Sequence, residues 1–286
     1  MMTGLASVLR SAAIALHSVS PTPRLDAELL LAHALGIDRS EMLLRQHDLC
    51  TPDSFEALLA RRLSDEPVAY ITGTQAFWNM DLQVTPDVLI PRADSETLLD
   101  AAMDWFGPDR SPGRIADLGT GSGALFLAAL SIFPTAEGLG IDASRAALAV
   151  ASNNADRLGF TGRARFEHRD WTKTNWNDGF GKFDLILCNP PYIEETVVLS
   201  PMVAAHEPHS ALFAGKEGLD DYRILVPILH ELLNPGGVAF FEIGYNQAES
   251  VGNLAAQAGF LTHLRHDLAG NPRVVRFSLG IEQYND

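Results

Sequence analysis

The sequence predicts an α/β protein: a mostly parallel sheet with helices on both faces, preceded by a small helical domain and a linking β-hairpin. Three observations carry this reading. From about residue 94, short apolar runs alternate with segments of helical period, the order that parallel βαβ units require. Residues 1–73 hold helical patterns only. Between them, residues 74–93 switch to a period of two and carry turn residues. A length of 286 residues suits two domains and a core that needs neither disulfides nor metals.

The elements follow in order. Arg10 precedes a short apolar run, Ala12 to Leu16, which is too short for a secretory core and lacks a small-residue cleavage pattern, so it reads as a first amphipathic helix. Leu25, Leu29 and Leu30 belong to a second helix that Gly36 ends. Thr51-Pro52-Asp53 opens another, running through Phe55, Leu58, Leu59 and Leu63, and Pro67 and Gly73 break the pattern. The run from Phe77 to Val84 alternates like a strand, Thr85-Pro86-Asp87 is a turn, and Val88-Leu89-Ile90 is read as the second strand of the hairpin. Strands are then expected at Arg114–Leu118, Ala136–Ile141, Arg163–His168 and Phe183–Cys188, with helices at Ala124–Ile132 and Ser144–Leu158. A helix Tyr222–Leu233 leads through the turn Asn234-Pro235-Gly236-Gly237 into a strand Val238–Ile243. After a helix Gln247–Ala258, Leu261–Asp267 and Val274–Leu279 can pair as a hairpin.

Composition narrows the partners. A formal net charge of −15 argues against a ligand whose many phosphates must be neutralised by clustered Lys and Arg, and favours a protein or small-molecule substrate. Cys50 and Cys188, the only cysteines, form no framework, which points to a reducing, cytoplasmic setting. No stretch reaches the ~18 apolar residues of a membrane span. The nine histidines show no metal-ligand spacing, so no metal is expected.

Two segments carry chemistry. Asp117-Leu118-Gly119-Thr120-Gly121-Ser122-Gly123-Ala124 joins a strand to a helix, where glycines allow a tight turn and close approach of a ligand to the main chain. Gly119, Gly121 and Ala124 also satisfy the dinucleotide fingerprint, and Asp142 stands where an acid would hold a ribose, so a dehydrogenase is compatible with this part alone. Asp117 adds a little: a carboxylate near the loop can accept from the ammonium of a methionine moiety and would repel pyrophosphate. Asn189-Pro190-Pro191-Tyr192 follows the apolar strand Phe183–Cys188. Pro190 drives Asn189 toward an extended backbone, and the two prolines stiffen the loop while removing N–H donors. The Asn189 side-chain oxygen and the Pro190 carbonyl can then each accept one hydrogen of an –NH₂ group, while Tyr192 packs its ring against a flat amide or base. Two such acceptors would aim the nitrogen at an activated methyl carbon and stabilise the positive charge that develops on it.

With these residues in view, the chain resembles the release-factor glutamine N5-methyltransferases. The resemblance covers nearly the whole length. It rests on Val88-Leu89-Ile90-Pro91-Arg92 with Glu96, the glycine loop, Gly140-Ile141-Asp142, Asn189-Pro190-Pro191-Tyr192-Ile193 and His206-Glu207-Pro208. Gly218-Leu219-Asp220, Glu242-Ile243-Gly244 and Asp267-Leu268-Ala269-Gly270 continue it. It implies a seven-stranded Rossmann-like class I methyltransferase domain over 94–286, a β-hairpin linker at 74–93 and a helical substrate-docking domain at 1–73. It implies S-adenosyl-L-methionine as cofactor, held by Asp117, Gly119, Thr120, Gly121, Ser122, Gly123, Asp142, Trp171 and Asn189. The substrate glutamine would be held by Asn189, Pro190, Pro191 and Tyr192, with Asn189, Pro190 and Tyr192 carrying the reaction. The partner would be a peptide chain release factor, with neither nucleic acid nor membrane bound directly. A glutamine methyltransferase of a large-subunit ribosomal protein, and an adenine N6-methyltransferase, are the alternatives. Ala93 and Ser95 replace the Pro and Thr often found there, Cys188 a serine, and His206 an aromatic residue. Arg92 and Glu96 either border the site or pair with each other, and His206 and Glu207 read as a loop scaffold before they read as general bases.

Overall fold

The computed structural model describes residues 4–280. The chain divides into two compact units, one of residues up to Thr74 together with Leu199–His206, the other of Gln75–Val198 and Glu207 onward.

The first unit packs α1 (Leu5–Leu16), α2 (Pro23–Leu35), α3 (Arg39–Leu44), α4 (Ser54–Leu63) and α5 (Val68–Thr72) around Leu5, Leu9, Leu16, Leu30, Leu31, Met42 and Phe55. Pro23 starts α2 and Gly36 closes it in the left-handed region, the asymmetry expected of helix ends. Pro67 and Gly73, read from sequence as breakers, bracket the single turn of α5. Arg62 is 2% exposed; its Nε donates to Asp26 Oδ2 at 2.8 Å and its Nη2 to the Val19 carbonyl at 2.7 Å. This buried pair ties α4 to α2 and to the turn after α1.

The second unit opens with a two-stranded hairpin, β1 (Thr74–Phe77) and β2 (Met80–Gln83). The hairpin therefore lies one strand earlier than the sequence suggested. The turn falls at Trp78-Asn79, with Trp78 at φ +56°, and Val88–Ile90 is not a strand. Only four residues separate Pro86 from Pro91, and neither proline has an N–H to give to a ladder.

Helix α6 (Glu96–Phe106) leads into a seven-stranded sheet built from β3 (Arg114–Leu118), β4 (Glu137–Asp142), β5 (Ala164–His168), β6 (Phe183–Cys188), β7 (Leu233–Glu242), β8 (Phe260–His266) and β9 (Pro272–Leu279). The order is β5-β4-β3-β6-β7-β9-β8. The first five strands are parallel, while β9 runs antiparallel to both β7 and β8. Strand β7 begins earlier than expected: Asn234-Pro235-Gly236-Gly237 lies within it, and the irregularity shows as a register shift against β6 between Phe183 and Leu185.

Side chains sort by parity onto two cores. Ile115, Leu185, Leu187, Val238 and Phe240 face α6 and α7 (Ala124–Ile132). Ala116, Leu118, Ile186, Cys188, Ala239 and Phe241 face α10 (Asp220–Leu232) and α11 (Ala248–Gln257). Burial on both faces is why these central strands read as continuous apolar runs. All seven residues Ala124–Leu130 of α7 are buried, as an apolar helix against a sheet must be. Helix α8 (Arg145–Arg157) carries Asn154, which is fully buried. Its Oδ1 accepts from the Gln83 N–H at 2.7 Å, and its Nδ2 donates to the carbonyls of Gln83 and Ser122, both at 2.9 Å. One side chain thereby joins the hairpin to the glycine loop. Helix α9 (Pro201–His206) belongs to the first unit. Among the described residues no helix is long and apolar enough to cross a membrane.

Candidate active site

The carboxyl ends of β3, β4 and β6, with the stretch before α6, surround a cavity of about 470 Å³, within the size range of small-molecule sites. Its wall includes Asp117, Gly119, Thr120, Gly121, Ser122, Asp142, Trp171, Asn189 and Pro191. Phe77, Pro86–Leu89, Pro91, Arg92, Ser95, Leu125 and Ser144 complete much of it.

The glycine loop is held by the strand beside it. The N–H groups of Gly119 and Thr120 both donate to the Ile141 carbonyl, at 2.9 and 2.8 Å. Gly119 sits at φ +78°, and a Cβ there would lie 3.1 Å from a ring carbon of Trp171. The positive φ favours glycine, and an added Cβ would crowd the ring. Asp142, ending β4, accepts from the Gly121 N–H at 2.9 Å through one oxygen and from the Ser144 N–H at 2.8 Å through the other. Burial raises its pKa above the usual carboxylate value. The Trp171 indole N–H donates to Asp221 Oδ1 at 2.6 Å, which fixes the ring over Gly119.

Asp117 is the most perturbed acid with a definite value. It is 1% exposed, and one oxygen accepts from the Thr120 hydroxyl at 2.7 Å. The other, Oδ1, is buried without a hydrogen-bond partner. Burial, followed by the charge of Asp142, pushes its pKa up from 3.8 to about 7. A buried carboxylate oxygen lacking a donor is a costly arrangement that an incoming cation relieves.

Asn189 ends β6. Its Nδ2 donates to Ser95 Oγ at 3.3 Å, and Ser95 Oγ donates to Glu242 Oε2 at 2.5 Å. The other Glu242 oxygen accepts from the Tyr192 hydroxyl at 3.2 Å, and the Glu242 carbonyl accepts from Tyr222 at 2.7 Å. Burial raises the Glu242 pKa, and the Tyr192 hydroxyl is also raised by burial and by the Glu242 charge. Gln247 holds the loop from behind: its amide donates to the carbonyls of Tyr192 and Gly218, both at 3.0 Å, and its oxygen accepts from the Gly244 N–H at 2.9 Å.

Of the Asn-Pro-Pro-Tyr residues, Asn189 and Pro191 line the cavity. Pro190 is buried, and the Tyr192 ring packs against the core between the sheet, α10 and α11. Arg92 and Glu96 do not pair. Arg92 binds the buried Glu207 at 2.5 Å, while Glu96 accepts from the Trp78 N–H at 2.7 Å. Glu207 thus anchors a cavity-wall arginine, and His206 falls in the first unit. Sequence reasoning gave no role to Glu242 or Asp221, and noted Ser95 only as a replacement for threonine. The replacement keeps the hydroxyl that the network uses. Among the described residues no acid–histidine–cysteine cluster could hold a metal.

A family model for a methyltransferase domain matches residues 109–258. The fold and that match define a class I methyltransferase, an enzyme whose seven-stranded sheet carries its site at the strand ends. A second model, the PrmC N-terminal domain, matches residues 7–73. The release factor glutamine methyltransferase of Caulobacter vibrioides is 42% identical over 88% of this chain and 88% of its own length. That of Rhodospirillum rubrum is also 42% identical, over 88% of this chain and 77% of its own. A solved 16S rRNA methyltransferase from Thermus thermophilus shares the fold with a TM-score of 0.51 at 20% identity, over 72% of this chain and 49% of that one. The chain belongs to the release factor glutamine methyltransferase family.

Proposed function

We propose that the protein transfers a methyl group from S-adenosyl-L-methionine to the side-chain nitrogen, N5, of the glutamine in the Gly-Gly-Gln motif of peptide chain release factors. The observation that carries this is the meeting of Asn189 with Asp117, Asp142 and the glycine loop on one cavity.

The residues present suit the cofactor. The unpartnered Asp117 Oδ1 is placed to take an ammonium group, Asp142 has lone pairs left for ribose hydroxyls, and Trp171 offers a ring face for adenine. The loop from Gly119 to Gly123, with Thr120 and Ser122, would hold the methionine moiety. When bound, the cofactor supplies a methyl group activated by a sulfonium charge.

The chain's own part is orientation. Asn189 Oδ1 and the Pro190 carbonyl each accept one hydrogen of the glutamine –NH₂. That interaction strengthens as the nitrogen loses its amide resonance and becomes positive, so it lowers the barrier more than it stabilises the ground state. Pro191 walls the amide in, and Tyr192 braces the loop through Glu242. The helical unit is assigned to substrate docking, with residues 74–93 as the linker and 94–286 as the catalytic domain. A net charge of −15 supports a protein partner over nucleic acid, and the two unpaired cysteines support a cytoplasmic setting.

Transfer of labelled methyl from S-adenosyl-L-methionine to purified release factors tests the proposal. Label should appear on the wild-type factor and not on a factor whose motif glutamine is alanine. Equal labelling of the two, or labelling of ribosomal protein or nucleic acid instead, overturns it.

A further inference from the structure

We infer that Glu242, acting through Ser95, sets which end of the Asn189 carboxamide faces the substrate. The inference rests on the reading of Asn189 as an acceptor for a glutamine amide and explains what makes it one.

An asparagine side chain has an accepting end and a donating end of nearly the same shape. Nothing in Asn189 itself decides between them. Ser95 does, because its hydroxyl has a single proton. The 2.5 Å contact to Glu242 Oε2 commits that proton to the carboxylate, which when ionised can only accept. Ser95 Oγ is left with lone pairs toward Asn189, 3.3 Å away, and only Nδ2 can answer them. The Asn189 oxygen is therefore turned from Ser95. Tyr192 donates to the other Glu242 oxygen at 3.2 Å, so one buried carboxylate fixes both polar ends of the Asn-Pro-Pro-Tyr loop. A donor at position 242 would reverse the chain: Ser95 would accept from it and donate to Asn189, and the substrate would meet an –NH₂ group.

Protonating Glu242 performs the same reversal. Arg273 on β9, Asp94 and Ser95 before α6, Tyr192 after β6, Tyr222 on α10 and Cys188 on β6 are the charged and titratable groups and hydrogen-bond partners around it. Arg273 favours the ionised form and Asp94 opposes it, while burial opposes it most, so the reversal falls above the ordinary carboxylate range. Glu242 is not part of the cavity wall and Ser95 borders it, but in this scheme both act through Asn189; they are positioning residues.

The test compares Glu242→Gln, Ser95→Ala, Ser95→Thr and the double variant Glu242→Gln/Ser95→Ala, measuring kcat on a release factor at saturating cofactor. Glu242→Gln should lower kcat roughly 100-fold, the scale of losing one oriented group at the reacting atoms. Ser95→Ala should lower it about 5- to 10-fold by freeing the amide to turn. Ser95→Thr should restore it. The double variant should match Ser95→Ala alone, because without Ser95 the residue at 242 no longer reaches Asn189. The fall of kcat toward acid should disappear in Ser95→Ala. A double variant worse than Glu242→Gln, or an acid limb unchanged in Ser95→Ala, overturns the inference. Should Glu242→Gln not fold, the Ser95 pair and the acid limb still decide. Neutron diffraction of the perdeuterated protein separates this inference from the substrate assignment. Deuterons on the Asn189 atom facing Ser95, with no release factor methylated, support the relay and sink the substrate reading. Deuterons on the far side overturn the relay even if turnover is normal.

Discussion

Replacing Asp117 by asparagine should make the empty protein more stable at alkaline pH while weakening its grip on the cofactor. The carboxyl titrates at about 7 folded against an ordinary 3.8. The folded state therefore binds this proton more tightly than the unfolded state. Its contribution to stability is fully present below pH 3.8, declines between 3.8 and 7, and is lost above 7. That difference in proton affinity is worth about 4 kcal/mol. Asparagine removes that cost but leaves an amide group where Oδ1 already lacks a partner, at about 1–3 kcal/mol. The net gain at pH 8 is about 1–3 kcal/mol. At pH 5 most of the ionisation cost is absent from the wild type, and the gain vanishes or reverses. Thermal melts of both proteins at pH 5 and pH 8, without cofactor, read this out. The wild-type midpoint should fall relative to the variant by several degrees between the two. Calorimetric titration with S-adenosyl-L-methionine at pH 8 should show a 10- to 100-fold weaker Kd for the variant, the worth of one hydrogen bond between charged groups. A variant less stable than wild type at pH 8, or one that binds cofactor equally well, refutes the reasoning.

Three further outcomes follow from the same geometry. Asn189→Ala should retain cofactor affinity within about threefold and lose at least roughly 100-fold in turnover; calorimetry beside a methyl-transfer assay separates the two effects, and equal losses contradict the assigned role. Gly119→Ala should abolish measurable cofactor binding, since it places a methyl 3.1 Å from the Trp171 ring at φ +78°; a normal Kd contradicts the close approach. Arg62→Ala strands Asp26 in the helical unit and should cost about 3–5 kcal/mol, whereas Arg62→Met with Asp26→Leu should recover most of it; denaturant melts of all three proteins check this.

The parts of the fold legible in the sequence are those where one local rule acts alone. Helix α7 was read to the residue because a glycine run starts it and the apolar stretch Ala124–Leu130 needs no partner to be recognised as buried. Strands β3 and β6 were equally plain, since burial on both faces leaves uninterrupted apolar runs. The stretch Val88–Ile90 misled because an apolar triplet after a turn looks like a strand, while strand formation depends on a neighbour that sequence does not show. The Asn-Pro-Gly-Gly run misled in the opposite sense: turn residues were absorbed by an irregularity in β7. In the site, the loop and the Asn189 segment were visible because strand ends and prolines are local signals. Ser95, Asp221 and Glu242 were not, because each acts through contacts 50 to 147 residues away in the chain.

The site's acids share a cause that links these results. Asp117, Asp142 and Glu242 lie at the carboxyl ends of β3, β4 and β7, Asp221 stands at the start of α10, and burial raises the pKa of all four. Three of them are answered from within the protein: both oxygens of Asp142 by backbone N–H groups, one oxygen of Asp221 by an indole, and both oxygens of Glu242 by hydroxyls. Those partners fix the loop, the tryptophan and the amide acceptor in place before any ligand arrives, which is where orientation contributes to rate. Of these four, Asp117 alone keeps a buried oxygen unanswered. That difference divides the acids by task. The three satisfied groups shape the cavity, and the unsatisfied one draws a cation into it. Substitution of Asp142, Asp221 or Glu242 should therefore destabilise the empty protein at pH 8, whereas Asp117→Asn should stabilise it there.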